Sequence, residues 1–579
     1  MRTDFEGAVP ELGAGVDLDL GPVDARPQDA RPGDAGEPRQ TVIALDNATE
    51  ATHEYFHQSH FDHWERWIRG EGDLGRVRNA LIYQRDSQTS LARRYGVALT
   101  TGRTIEDVGI PGIVLMERAA LGAVDALLAH FQDHADMPAR IGILCGAGNN
   151  GGDGFAMARL FHELGVATFV GTIVSPTSYR GDARANLDVL ENLRIDVRDL
   201  SSFGTHDLGA ALELVEPADV WVDALLGTGL DRDVEGLYRA AVEFLNTQPR
   251  VLAVDIPSGV HADTGQVMGV AVHASATASF GHVKIGQSIY PGREHCGALY
   301  PVDIGIPARV SRDVGWTAEL LVDDRWVPPR APTTHKGEAG RIACIGGAPQ
   351  TLGAVLMTAR GALHSGAGLI TVGTYDACVG RVAPTTHELM ARPVLARTLE
   401  QCHVDELDEL LEWADIVAVG PGMGTHEGAL EVLELVLESD CVVVADADAL
   451  TLLADHHMQL QPLGLETVVL TPHPGEASRL CACSTAEVLA DPVGRALEIS
   501  AEWSDAIVVL KGASTVVARN EPRRIAINST GNAGMATGGT GDLLTGMIAY
   551  VMGDGVTLVS SADETAKDAS FPTHMGLVD

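Results

Sequence analysis

Lysine is nearly absent from this chain of 579 residues: four lysines (Lys284, Lys336, Lys511 and Lys567) stand against 37 arginines. Positive charge of either kind is short, with 41 Lys and Arg against 79 Asp and Glu and a formal net charge of −38. Phosphate backbones are held by basic surfaces, so a nucleic-acid partner is excluded. The same deficit argues against docking on an anionic membrane and fits a solvated acidic surface, as in a salty cytoplasm. Anionic ligands must then be held by local devices. Long apolar runs are missing too: no stretch reaches the ~18 apolar residues that a transmembrane helix needs. The start, Met1-Arg-Thr-Asp-Phe-Glu6, has neither a basic opening nor an apolar run, so no signal peptide is read and a cytoplasmic chain is predicted. The eight cysteines are scattered and sit mostly in apolar runs, which reads as reduced structural thiols. Cys481 and Cys483 form C-x-C, with no second Cys or His pair nearby to complete a zinc site.

Apolar residues make up 45% of the chain, enough for large buried cores. Residues 1–40 are rich in Pro, Asp, Gly and Ala and lack apolar periodicity, which predicts a disordered tail. Residues 50–95 carry Phe56, Phe61, Trp64 and Trp67 at loosely helical spacing and read as a small appendage or a partner-binding segment. Beyond this stretch (1–95) the pattern changes. Short runs of Val, Ile and Leu, such as IGILC, VATFVGTIV, VWVDALL and VLAVDI, alternate with amphipathic stretches up to about residue 310. A second set spans 318–579: RIACIGG, LITVGTY, DIVAVG, CVVVADA, TVVLTP and AIVVLKG. Continuous apolar runs between helical patterns mark buried parallel strands with crossover helices. The sequence therefore predicts two α/β domains, 96–310 and 318–579, with a linker-like stretch, Val327-Pro-Pro-Arg-Ala-Pro332, between the two sets of strands.

In the first set, IGILC runs into Gly146-Ala-Gly-Asn-Asn-Gly-Gly-Asp-Gly154 and a helical stretch. Gly146, Gly148 and Gly151 satisfy G-x-G-x-x-G, a weak signal for a phosphate at a helix N-terminus. The second strand ends at Val174-Ser-Pro176, with no carboxylate to grip a ribose, so hydride transfer is not supported. Asp223 and Asp255 end two further strands. Ligands of open parallel sheets bind beyond the strands' carboxyl ends, so Asp153, Asp223 and Asp255 are expected to converge there, near Asn150 and Ser258. A single Asp at such a place more often caps the next helix. Three at successive strand ends favour a site.

LMERA (115–119), CGAGNNGGDGF, VDALLGTGL, VDIPSGVHADTG, FGHVKIG around Lys284 and DIGIP together resemble the NAD(P)H-hydrate epimerase family over roughly 98–307. The resemblance implies a Rossmann-like fold and a potassium ion held by Asn150, Asp223 and Ser258. It implies substrate contacts from Asn149, Asn150, Gly151, Gly152 and Asp153, from Gly227, Thr228, Gly229, Leu230, Asp231, Arg232 and Asp233, and from Asp255. Hydrated NAD(P)H carries a hydroxyl at C6 of the reduced nicotinamide ring in two epimers. Interconverting them breaks and remakes a bond at that carbon with proton transfers, for which carboxylates such as Asp255 can supply acid–base help. A bound cation can orient the ligand.

The later strands end in polar turns: Gly420-Pro-Gly-Met-Gly424, Asp446-Ala-Asp448, Thr471-Pro-His-Pro-Gly-Glu476 and Lys511-Gly-Ala-Ser-Thr515. Last comes Asn528 to Asp542, ending in Gly538-Gly-Thr-Gly-Asp542 at the start of LLTGMIAYVM. Free amides and the helix dipole there form a nest for a phosphoryl group, and Asp542 can take the proton of an attacking hydroxyl. Lys511 would add a point charge for phosphate. With His335-Lys-Gly337, Leu352-Gly-Ala354 and SGAGL (365–369), these motifs resemble the ADP-dependent NAD(P)H-hydrate dehydratase family over about 320–555. The resemblance implies a ribokinase-like fold. It implies contacts to the hydrate from Ala354, Gly422, His473 and Asp542, and to the nucleotide from Lys511, Gly512, Ala513, Ser514, Thr515 and Gly541. Such enzymes phosphorylate the C6 hydroxyl and eliminate phosphate, restoring NAD(P)H. They use ADP in bacteria and archaea and ATP in eukaryotes, with Mg2+. Both families usually assemble into homo-oligomers.

One chain with both activities is a logical unit, because the dehydratase takes one epimer and the epimerase supplies it. A ribokinase-like small-molecule kinase is the rival enzymatic reading and leaves the first half unexplained. After about Gly555 the chain departs from the dehydratase pattern and ends in SSADETAKDASFPTHMGLVD, which raises a further alternative of an active epimerase beside a defective dehydratase.

Overall fold

A computed structural model of the protein describes residues 90–92, 94–131, 138–213, 217–314, 318–321, 332–398, 403–456 and 468–556. Nearly all of the proposed tail and appendage, the linker up to Ala331 and the divergent end after Val556 lie outside the described residues.

After a short strand β1 (Ser90–Ala92), the first half contains β2 (Arg140–Cys145), β3 (Ala167–Thr172), β4 (Asp196–Asp199), β5 (Val220–Ala224), β6 (Val251–Val254), β7 (Ala276–Phe280), β8 (Val283–Lys284) and β9 (Ala298–Val302). Seven of these form a sheet in the order β4-β3-β2-β5-β6-β7-β9, parallel throughout. The apolar runs are the strands predicted, and β2, β5, β6 and β7 are almost wholly buried. Helices cover both faces; α1 (Gly112–Phe131) and α2 (Asn149–Glu163) pack together over β2. The strand order reverses direction between β2 and β5, which opens a crevice at the carboxyl ends of those strands.

The second half contains β10 (Ala318–Leu321), β11 (Arg341–Ile345), β12 (Leu369–Tyr375), β13 (Met390–Leu395), β14 (Ile416–Val419), β15 (Val442–Ala445), β16 (Val468–Leu470), β17 (Ile507–Leu510), β18 (Thr515–Arg519) and β19 (Arg524–Asn528). Their order is β13-β12-β11-β14-β15-β16-β17-β18-β19-β10. Strands β13 through β17 are parallel and β18 runs antiparallel, so β17, β18 and β19 form a meander at one side. The helices that position the site are α3 (Leu352–Ser365), α4 (Pro474–Leu480) and α5 (Thr540–Val556). Helices α3 and α5 cross with almost no side chain between them: a Cβ on Gly546 would lie 1.8 Å from the Thr358 carbonyl oxygen. That close crossing fixes where the first turn of α5 lies over the sheet.

The two predicted domains are less separate than their sequences suggest. Strand β10 pairs with β19, β1 with β10, and β8 of the first half with β1, which extends the second sheet to twelve strands. Val283, Ile285 and Ile289 accordingly pack into the apolar core of the second half. The Ser514 hydroxyl donates to the Ser288 carbonyl at 2.8 Å across the same seam. The boundary read at residue 310 is thus a boundary of the chain more than of the cores. Among the described residues no helix is long and apolar enough to cross a membrane.

Candidate functional site

The segment Asn149-Asn-Gly-Gly-Asp153, read from sequence as a turn before a helix, is itself the first turn of α2. Gly148 precedes it in extended conformation, and no side chain caps the helix. The first-turn N–H groups therefore lack the usual intrahelical partners and face the crevice with the positive end of the helix dipole. Gly146 is required because a Cβ there would meet the Leu225 carbonyl oxygen at 1.8 Å. Close packing of this turn on the end of β5 thus accounts for Gly146 without a bound phosphate.

Asp223, at the end of β5, is fully buried. Its Oδ1 accepts the Ser258 hydroxyl at 2.6 Å and its Oδ2 the Ser258 N–H at 2.8 Å. Asn150 Nδ2 donates to the Leu226 carbonyl at 3.1 Å, and the Ser258 hydroxyl lies 3.2 Å from that same oxygen. The three proposed cation ligands, Asn150, Asp223 and Ser258, are therefore neighbours, with the Leu226 carbonyl as a fourth oxygen that sequence could not name. Among the described residues no cationic side chain pairs with Asp223. Burial pushes its carboxyl up to about 6, against the pull of the bonds from Ser258 and Leu225. A buried carboxylate amid neutral oxygens is the donor set of a hard monovalent or divalent cation.

Asp255 follows β6 with φ +67°, the left-handed region that costs a non-glycine residue ~1–3 kcal/mol. Its Oδ1 is paired with the Lys284 ammonium, which is completely buried. Its Oδ2 lies 3.6 Å from where a Cβ on Gly227 would stand, and Asn150 flanks the same point at 3.7 Å. Burial, and then the charge of Asp255, hold the Asp153 carboxyl well above the ordinary carboxylate range. The crevice thus gathers Asn150, Asp153, Gly227 and Asp255 at the switch point. Gly151 and Gly152 are buried in α2, Thr228 is half-buried and Gly229 exposed beside them. The Leu230 side chain joins the core with Trp221 and Phe244. Asp231, Arg232 and Asp233 are exposed on the rim that follows.

The second crevice lies between β11 and β14, again where the strand order reverses. Gly422, at φ +63°, accepts the Thr351 hydroxyl at 2.8 Å, and Ala354 N–H donates to the Thr351 carbonyl at 3.1 Å. Gly422 and Ala354 are therefore joined through Thr351. His473 caps α4: its Nδ1 accepts the Gly475 N–H at 2.9 Å and the Glu476 N–H at 3.3 Å. Its ring is half exposed beyond that cap. Gly512 and Ala513 form the exposed tip between β17 and β18, Ser514 is tied to Ser288, and the Thr515 hydroxyl donates to the Gly512 carbonyl at 3.3 Å.

Lys511, expected to be a point charge for phosphate, stands among carboxylates. Its Nζ donates to Asp446 Oδ1 at 2.7 Å and stands 4.0 Å from Glu476 Oε2. Asp446, 2% exposed, also accepts the Thr545 hydroxyl of α5 at 2.6 Å. A Cβ on Gly541 would be 3.4 Å from Lys511 Nζ, and Asp542 shares that first turn of α5. Asp446 therefore ties the Lys511 turn to the helix that carries Gly541 and Asp542. Burial, then the charge of Asp446, raise the Asp542 carboxyl, while Lys511 opposes the shift. The sequence places Asp446 at a strand end and gives it no role; only its partners reveal one. The rarity of lysine is the available signal. It marks Lys284 and Lys511, both engaged with carboxylates, whereas Lys336 is exposed.

Both crevices match known families. One described as YjeF-related protein N-terminus matches residues 112–286, and one described as NAD(P)H-hydrate dehydratase matches residues 342–567. The second match runs about a dozen residues past Gly555, where the motifs place the departure from the dehydratase pattern. The chain is 38% identical over 457 residues to the bifunctional NAD(P)H-hydrate repair enzyme Nnr of Moorella thermoacetica, covering 77% of this chain and 85% of that protein. It is 38% identical over 471 residues to the protein of that name from Thermofilum pendens, covering 80% and 88% respectively. The Escherichia coli protein of that name is 37% identical over 416 residues, covering 71% and 76%. At 37–38% identity over more than two thirds of these relatives' lengths, the chain belongs to the bifunctional NAD(P)H-hydrate repair enzyme family.

Proposed function

We propose that the chain repairs hydrated NADH and NADPH in two steps, epimerising the C6 hydroxyl in the first crevice and dehydrating the S epimer in the second. The observation that carries the reading is the pairing of two switch-point crevices in one chain, each gathering motif residues from separate strand ends.

In the first crevice Asp255 moves the proton that accompanies breaking and remaking of the bond at C6. Asp153, whose carboxyl is raised by burial and by the charge of Asp255, can return one. The first turn of α2 and the Gly227–Asp233 segment bind the hydrate, and the helix dipole favours its phosphates. Asn150, Asp223, Ser258 and the Leu226 carbonyl fit a potassium ion, because they offer oxygen donors around a buried carboxylate without a cationic partner among the described residues. When bound, that ion would neutralise Asp223 and orient the ligand.

In the second crevice ADP enters as the Mg2+ complex and contacts Lys511–Thr515 and Gly541; ATP is the alternative nucleotide. Asp542 takes the proton of the C6 hydroxyl as its oxygen attacks the terminal phosphoryl group, which leaves AMP and a phosphorylated hydrate. Phosphate then departs from C6 with the bonding pair and a proton leaves the neighbouring carbon, restoring the ring double bond. Ala354, Gly422 and His473 position the hydrate.

The reading carries with it a cytoplasmic location and assembly into homo-oligomers, the latter open to sedimentation. Its central test is recovery of near-ultraviolet NADH absorbance from a mixture of both NADHX epimers, with and without ADP and Mg2+. Complete ADP-dependent recovery is expected. Recovery that stops at the S fraction would remove the epimerase assignment. No recovery, even when an independent epimerase is added, would remove the dehydratase assignment.

A further inference from the structure

We infer that Lys284 is a positioning residue for epimerisation, gripping one oxygen of Asp255 so that the other, Oδ2, is the atom that moves the proton. The inference rests on the assignment of Asp255 to that reaction made above.

Lys284 is completely buried in β8. A bare ammonium in that position would lose its hydration uncompensated, so its three N–H groups must all find acceptors. They do: Asp255 Oδ1, the Ser279 hydroxyl at 3.2 Å and the Phe280 carbonyl at 3.0 Å. No N–H is left to point at a substrate, so Lys284 acts through Asp255 alone. An ammonium offers three diverging donors from one small centre; a guanidinium offers five in a plane and would leave two unmatched. This is a physical reason for lysine here in a chain that otherwise uses arginine.

Everything else around Asp255 serves the same end. Its N–H donates to the Ala278 carbonyl at 2.8 Å, and its carbonyl accepts Gln287 Nε2 at 2.8 Å. Gln287 Oε1 in turn accepts the backbone N–H of Lys284 at 2.8 Å and the Ser279 hydroxyl at 2.9 Å. The left-handed φ of Asp255 is thereby held from both sides. Oδ1 receives the Phe280 N–H at 3.3 Å in addition to the ammonium. That saturates Oδ1 and leaves Oδ2 toward Gly227 and Asn150, where the hydrate is proposed to bind. One carboxylate oxygen anchors while its partner reacts.

The test is a double-mutant cycle on the full chain, following interconversion of R- and S-NADHX by chromatography without ADP. Asp255→Asn should lower kcat by ~10²–10⁴-fold if Asp255 is the proton-moving group. Lys284→Met should lower kcat by about a hundredfold, the usual effect of a misplaced catalytic group, with KM changed by less than about twofold. Adding Lys284→Met to Asp255→Asn should cost nothing further, and that double variant contains no unpaired buried charge. Full activity of Asp255→Asn would remove the parent assignment. Loss in Asp255→Asn with a wild-type kcat in Lys284→Met would overturn only the positioning role. The same would follow if Lys284→Met cost an equal factor in both backgrounds, the mark of a merely structural residue. Should the single Met variant fail to bind NADHX in a thermal-shift measurement, Lys284→Gln, which keeps a donor for Oδ1, enters the cycle with the same readings.

Discussion

Replacing Asp446 by alanine should damage the second domain twice, in stability and in nucleotide affinity. Asp446 is 2% exposed and receives two short bonds, from Lys511 at 2.7 Å and from Thr545 at 2.6 Å. Removing one member of a buried ion pair costs ~3–5 kcal/mol when the other charge is stranded. Lys511 would not be wholly stranded, because it is 19% exposed and has Glu476 at 4.0 Å. That argues for a loss below the usual range, about 2–3 kcal/mol. For a domain of this size it corresponds to a fall in the transition temperature of about 5–10 °C. A chain with two domains does not melt in one step, so the relevant transition is the one that ADP raises. The freed Lys511 no longer faces Gly541 in a fixed position, so KM for ADP should rise about tenfold, the equivalent of ~1.4 kcal/mol. Asp446→Asn keeps an acceptor for Thr545 and should fall between alanine and wild type. Scanning calorimetry and steady-state kinetics on pure S-NADHX decide the matter. A shift under about 1 °C together with an unchanged KM for ADP would refute the claim that this carboxylate organises the nucleotide side.

Three other expectations follow from the same geometry. His282 is pushed down to about 4 by burial and by the charge of Lys284, so the folded protein keeps it neutral while the unfolded chain protonates it near pH 6.5. Stability should therefore fall as pH drops from 6.5 toward 4, by about 2 kcal/mol between pH 7 and 5, and His282→Gln should flatten that slope in urea titrations. Asp542→Asn should cut dehydratase kcat by ~10²–10⁴-fold and leave epimerisation unchanged. In the unaltered chain the dehydratase rate should fall on the acid side at a higher pH than an ordinary carboxylate dictates, because burial and Asp446 raise Asp542. Gly546→Val forces α5 away from the Thr358 carbonyl, a steric cost of ~1–3 kcal/mol or more, and should cut dehydratase activity at least about tenfold with epimerisation intact.

Much is legible in the chain because parallel strands announce themselves. Runs such as IGILC and CVVVADA are buried on both faces, so their composition alone marks a strand and the next polar residue marks a site edge. Strands β18 and β19 of the meander and strands β7 and β9 are less visible: β7 reads Ala-Thr-Ala-Ser-Phe, too mixed to stand out from its neighbours. Asp223 and Asp255, at strand ends, can be grouped from the strand pattern alone, whereas Asp153 lies within α2. That Leu230 turns into the core while Gly227 stays at the crevice cannot be read that way, since the two sit in one continuous motif.

Sequence by itself determined the α/β class, the order of the two halves and the family, because these depend on local patterning and on motifs that are contiguous along the chain. Tertiary structure alone decided which charges meet. Lys284 lies 29 residues from Asp255 along the chain, and Lys511 lies 65 from Asp446. Neither pairing has a local signature: Asp255 follows β6 of the first sheet while Lys284 lies in β8 of the second, and Asp446 and Lys511 follow β15 and β17, which β16 separates. The seam in which β8 and Ser288 join the second domain is likewise a product of packing. Strand edges pair with whatever partner the fold presents, and no periodicity in one segment names the segment that will cover it.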